Sequence, residues 1–197
     1  MSNCGLNFHS ALLQHIPGMR VFARSLCRDR DLADDLVQTA LLMAWEKRFT
    51  LRDPLRLRPW LLQILRNAHL MSIRSRSRDS NIIEGADPEA VCGGPTQEFL
   101  ADCDDVQEAL ARLAPVEREA IMLVAVQELT YEQAAVVCGC PAGTIKSRVS
   151  RARAQLRELL RVSAKFGGSD IAEPMEPQLK RMHRGFVSGK LGERRTA

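Results

Sequence analysis

Between Pro141 and Arg153 the chain reads Pro-Ala-Gly-Thr-Ile-Lys-Ser-Arg-Val-Ser-Arg-Ala-Arg, cations and hydroxyls wrapped around apolar Ile145 and Val149. Thr144, Lys146, Ser147, Arg148 and Arg151 can bond phosphates and base edges, and Arg and Lys favour guanine in the major groove. Ala142 and Gly143 are small enough to let backbone N–H groups approach a phosphate. A second basic run, Arg74-Ser-Arg-Ser-Arg78, alternates cation and hydroxyl. The other residues able to do chemistry are scattered. Cys138 and Cys140 are the only closely spaced pair of the six cysteines, and the four histidines are far apart. Zinc sites need a second such pair or a His pair, so these thiols are read as small apolar residues and no metal is expected. There is no Gly-rich phosphate loop and no nucleophile–base motif. The expectation is a polyanion-binding protein, not an enzyme, with no cofactor and no small-molecule substrate.

The basic segment near Pro141 needs a scaffold, and the residues before it describe one. Thr130-Tyr-Glu-Gln133 has the form of a capping box that starts a helix. Counting from Tyr131, the fifth residue is Ala135, small enough to be packed upon. The ninth is Gly139, able to take the positive φ of a tight turn. The fifteenth is Ile145, an apolar plug. This spacing is that of a helix-turn-helix whose second helix opens at Pro141 and runs to about Arg161. Upstream, Val106, Ala109, Leu110 and Leu113 make one helix, and Pro115 opens another reaching about Glu128 through Ile121, Val124 and Ala125.

The first half has its own helical set. Asn7 to Ile16 carries apolar residues at helical spacing, Pro17-Gly18 is expected to interrupt it, and Met19 to Arg28 resumes. Asp31 to about Lys47 is amphipathic, with Asp31, Asp34 and Asp35 near its start, where the helix dipole favours acids. A loop from Phe49 to Arg58 precedes a second long helix in which Trp60, Leu61, Ile64, Leu65, Ala68 and Ile73 keep the period. Trp60 is read as core before base-stacking platform.

Charge is sorted along the chain. Residues 19–78 hold 13 Lys/Arg against 6 Asp/Glu, whereas residues 79–105 hold 8 acids and no base. Residues 106–161 return to 8 bases against 6 acids, and residues 162–197 carry 7 against 4. Two basic blocks flanking an acidic one suit two polyanion-binding modules on a linker, or equally two solvated helical domains joined by a disordered acidic connector. Residues 79–103 lack any apolar period and contain Gly85, Pro88, Gly93, Gly94 and Pro95. The fold expectation is therefore all-α. Two small helical domains, 8–78 and 104–161, are joined by a flexible acidic linker, 79–103, with a basic, disordered tail at 162–197. No run approaches the roughly 18 apolar residues of a membrane span. Met1 to Arg20 has no secretory pattern, so a cytoplasmic location without membrane insertion is expected.

The string Thr-Tyr-Glu-Gln-Ala-Ala followed by Cys-Gly-Cys-Pro-Ala-Gly-Thr-Ile-Lys-Ser-Arg-Val resembles region 4 of extracytoplasmic-function (ECF, group 4) sigma factors. In the first half, Asp34-Asp35-Leu36-Val37-Gln38, Ala44-Trp45 and Trp60 to Asn67 are similar to region 2 of the same family. The resemblance covers about residues 8–161. It implies a subunit that binds core RNA polymerase and directs it to promoter DNA. Region 4, through Thr144, Lys146, Ser147, Arg148 and Arg151, would read the −35 element. Arg66, Asn67, Arg74 and Arg76 would hold the melted −10 strand. Asp34, Asp35, Leu36 and Gln38 would dock on the polymerase, although Leu36 is equally at home in a core. Within the family, the Cys-Gly-Cys string and Arg66-Asn67 with Ser72 look like the alphaproteobacterial general-stress-response (EcfG-like) subgroup. That likeness implies control by an anti-sigma protein. The segment Leu51 to Arg58 departs from the subgroup by looking longer, which puts −10 specificity in question.

Two other readings share the helix-turn-helix. A sigma-like adaptor would sequester an anti-sigma protein, but such proteins carry a phosphoreceiver domain, and only the 36 residues 162–197 follow here. An autonomous regulator would need a dimer to span two half-sites.

Overall fold

The computed structural model describes residues 3–27, 29–79 and 104–167, and every described element is helical, with no strand among the described residues. The expected linker and tail fall largely outside them, at residues 80–103 and 168–197. The helices form two units, one holding α1 to α3 together with Val136–Gly139, the other holding α4, α5, the start of α6 and α7.

In the first unit α1 is Asn3–Cys27, α2 Arg30–Glu46 and α3 Leu57–Asp79. The sequence predicts a break at Pro17-Gly18, yet α1 runs through Pro17 without one. Proline removes one helical hydrogen bond and costs ~3 kcal/mol in a helix interior. Burial on both sides outweighs that cost: Leu12 lies before it, and Met19, Val21, Phe22 and Ala23 lie after it, all packed inside. The face left without its donor is that of Leu13, which is exposed.

Helix α2 begins where its acids forecast. Asp29 is the N-cap, its side chain accepting from the Leu32 N–H at 2.9 Å. It buries Ala33, Leu36, Val37, Ala40 and Ala44 and packs against both α1 and α3. Between α2 and α3 the chain makes two 3₁₀ turns, Arg48–Thr50 and Pro54–Arg56, the second capped by Asp53. Trp60 is half-buried and meets Phe8 edge-on at 6.4 Å, while Trp45 lies 6.2 Å from the same ring. The aromatic cluster therefore ties α1, α2 and α3 together, as the core reading of Trp60 expects.

The second unit holds α4 (Asp104–Ala111), α5 (Pro115–Ile121), the first five residues of α6 (Tyr131–Cys138) and α7 (Ala142–Gly167). Helix α5 passes into one π turn, Met122–Val126, closed by the Gln127 N–H donating to the Met122 carbonyl at 2.9 Å. That widened turn rotates the face. Met122, Leu123 and Val126 are buried, while Val124 and Ala125, expected inside, are only half-buried. Glu128 then takes φ +53°, and the Leu129 N–H returns to the Leu123 carbonyl at 3.1 Å. This is a helix ending usually given to glycine. Helix α7 outruns its expected end at Arg161 by six residues.

Candidate nucleic-acid interface

The α6–α7 hairpin is made by the local rules its sequence displays. The Thr130 N–H donates to Gln133 Oε1 at 3.0 Å, and the Gln133 N–H donates to Thr130 Oγ1 at 3.2 Å, a reciprocal capping box. Glu132 in the same turn has its carboxyl held below the usual carboxylate range by its own backbone N–H and by the Thr130 hydroxyl. Thr130→Ala removes one half of this box. It is expected to lower the stability of the second unit by about 1 kcal/mol, read from urea unfolding.

Gly139 has φ +65°, a conformation that strains any side-chain-bearing residue, and the Cys140 N–H closes the turn on the Ala135 carbonyl at 3.1 Å. Pro141 then caps α7 through its carbonyl, which accepts from the N–H groups of Thr144 (2.9 Å) and Ile145 (3.3 Å). Ile145 is fully buried, with Val149, Ala152 and Leu156 below it on one side of α7. Ala135 and Cys138 are buried, and Cys140 is half-buried. Among the described residues no group of three or more His, Cys, Asp or Glu is placed to hold a metal.

At about 100° per residue, Thr144, Ser147, Arg148 and Arg151 fall within an arc of about 100° opposite the buried side of α7. Ser147 and Arg151 are exposed, and Thr144 and Arg148 are half-exposed. The Ser147 hydroxyl donates to the Thr144 carbonyl at 2.9 Å, which leaves its oxygen lone pairs outward. Lys146 is exposed but stands on the flank, turned away from these four. Arg151 has a partner that its neighbours in sequence do not reveal. Its Nε lies 3.4 Å from Oε1 of Glu117, on α5.

On α3 the candidates divide. Asn67 and Arg74 are exposed and lie within about 20° of one another in helical projection, with exposed Met71 between them. Arg76 is exposed about half a turn round the helix, and Arg66, half-buried, sits to one side. The side chain of Arg78 lies outside the described residues. On α2, Asp35 and Gln38 are exposed on the solvent side, with Leu42 one turn further along. Asp34 turns toward α1, where Arg20 Nε is 3.3 Å from its Oδ1. Leu36 is only 7% exposed and packs in the core, so it offers no surface for docking.

Comparison with known proteins gives this geometry a class. The sigma-70 region 2 family model matches residues 12–79, and the sigma-70 region 4 family model matches residues 103–156. The chain is 38% identical over 161 residues to the ECF RNA polymerase sigma factor EcfG of Rhodopseudomonas palustris, covering 81% of this chain and 89% of that protein. It is 41% identical over 127 residues to the ECF sigma factor SigC of Mycobacterium tuberculosis, covering 61% and 66%. A co-crystal structure of the sigma factor RpoE with the anti-sigma factor NepR, from Bartonella quintana, shares 43% identity. It aligns at a TM-score of 0.67 over 79% of this chain and 98% of that one.

Two helical modules of these kinds, in this order, define an RNA polymerase sigma factor, a transcription initiation factor. The chain belongs to the ECF sigma factors. As such it binds core RNA polymerase and promoter DNA.

Proposed function

We propose that the chain is an alternative sigma factor of a stress response, acting in the cytoplasm without a reaction of its own, and restrained by an anti-sigma protein. The observation that carries the DNA-binding half is the stripe of Thr144, Ser147, Arg148 and Arg151 on a helix fixed by a tight Gly139 turn. Lys146, exposed but turned away from the stripe, adds positive charge for the DNA backbone. Asn67 and Arg74 form the corresponding face of α3 for the −10 strand, with Arg66 and Arg76 adding charge along the helix, since a single strand needs cationic funnelling. Asp34, Asp35 and Gln38 supply the acidic side of α2 for the polymerase, Leu36 supporting them from the core. Anti-sigma control rests on the likeness to EcfG and to RpoE, the latter solved with NepR. No described helix is long and apolar enough to cross a membrane.

The test is run-off transcription by core polymerase on a promoter library, with and without the protein, alongside a Lys146→Ala/Arg148→Ala double variant. Selective transcripts that the variant abolishes are the expected result. Absence of transcripts together with absence of polymerase binding would sink the proposal.

A further inference from the structure

Arg151 belongs to the exposed stripe of α7, yet its guanidinium is tied to a different helix. The two side chains of that pair are unequal: Arg151 is 65% exposed and Glu117 only 13%. The carboxylate is the anchored partner and the guanidinium the group being anchored. The Glu117 backbone is itself fixed, its N–H donating to the Ala114 carbonyl at 3.0 Å. An unrestrained arginine spreads over many rotamers and loses that freedom on binding. A guanidinium, however, carries five N–H donors in a rigid plane. With Nε turned to Glu117, the outer edge formed by the two Nη groups remains to meet a pair of acceptors.

We infer that Glu117 is a positioning residue, holding the Arg151 guanidinium in one plane so that its outer edge meets two adjacent acceptors on promoter DNA. Those acceptors are the major-groove edge of a guanine or the oxygens of a phosphate. The inference rests on the reading of α7 as the DNA-contacting helix. It makes a prediction of unusual sign. Removing an acid close to DNA ordinarily strengthens binding by relieving repulsion with phosphates. Removing this one weakens it.

The experiment uses holoenzyme assembled from core polymerase and the full chain, transcribing templates that carry every single substitution in the −35 element, over a salt titration. The variants are Glu117→Ala, Glu117→Gln, Arg151→Ala and the double Glu117→Ala/Arg151→Ala, each with its thermal unfolding curve. Glu117→Ala is expected to lower transcription from the preferred template on the order of tenfold. Glu117→Gln recovers part of the loss, because its amide oxygen keeps a polar neighbour beside Nε and its shape is kept. The double variant is no worse than Arg151→Ala, since the two residues act through one contact. A loss confined to templates retaining one base pair identifies a guanine edge. A loss equal on all templates, with a salt slope smaller by about 1, identifies a phosphate. Unchanged or increased transcription in Glu117→Ala would overturn the inference, as would an equal further loss in the Arg151→Ala background. If Arg151→Ala itself has no effect, the DNA role of Arg151 fails and the inference with it. If Arg151→Ala is costly and Glu117→Ala silent, only the inference fails.

Discussion

Truncating Ile145 to Ala is expected to destabilise the second unit by about 2–5 kcal/mol, the range for emptying a fully buried aliphatic site. Ile145 is 0% exposed, on the buried side of α7 that it shares with Val149, Ala152 and Leu156. Ile145→Asp should go further and unfold the unit, because a lone carboxylate there would have no partner to offset its desolvation. Urea unfolding, followed by a probe in each unit, checks both. The transition of the first unit should keep its midpoint while that of the second falls. A second-unit midpoint unmoved by Ile145→Ala would show that the plug is not what holds the hairpin.

The second large effect concerns recognition without stability. Arg148→Ala combined with Arg151→Ala is expected to cut promoter-dependent transcription by about 100-fold, each lost arginine contact counting about tenfold. The slope of log affinity against log salt should fall by up to about 2 if both reach phosphates. Core polymerase binding should be unchanged, because both residues lie on α7 and the proposed docking acids lie on α2. Retained transcription with an unaltered salt slope would remove α7 as the reading helix. Run-off transcription gives the first quantity, and gel-shift titration of the holoenzyme at several salt concentrations gives the second.

The helix-turn-helix was legible because its rules are local. A capping box is satisfied within four residues, a positive φ asks for glycine at one position, and an apolar plug must fall at a fixed spacing. Each of Thr130, Gln133, Ala135, Gly139 and Ile145 performs the part its type implies. The start of α2 was legible for the same reason, Asp29 lying just ahead of the acids that favour a helix N-terminus.

What escaped the sequence depends on distance along the chain. Pro17-Gly18 reads as a break until burial of Met19 and Phe22 is known to outweigh the lost hydrogen bond. The π turn has no residue signature, and Glu128 occupies a position where glycine would have announced the end of the helix. Five candidates on the recognition helix were grouped as one exposed face, whereas only four share a stripe. Leu36 could equally have been surface or core from its spacing, and its burial decides for core. Glu117 stood unremarked because nothing nearby marks an acid that will meet a cation from a separate helix. The only available hint was a Glu/Arg cluster, Glu117-Arg118-Glu119, at the start of a helix with a buried face.

The π turn at Met122–Val126 makes the segment asymmetric toward changes in chain length. A π turn holds one residue more than regular helix needs over the same rise. Deleting one residue from it would convert a wide turn into an ordinary one and leave the helix continuous. Inserting one residue would instead push Gln127, now buried, and the Glu128 ending out of step with the floor of the unit. Natural length variants of this domain should therefore shorten at 122–126 far more readily than they lengthen there. The wide turn acts as a spare residue that a lineage can discard without disturbing the hairpin that follows.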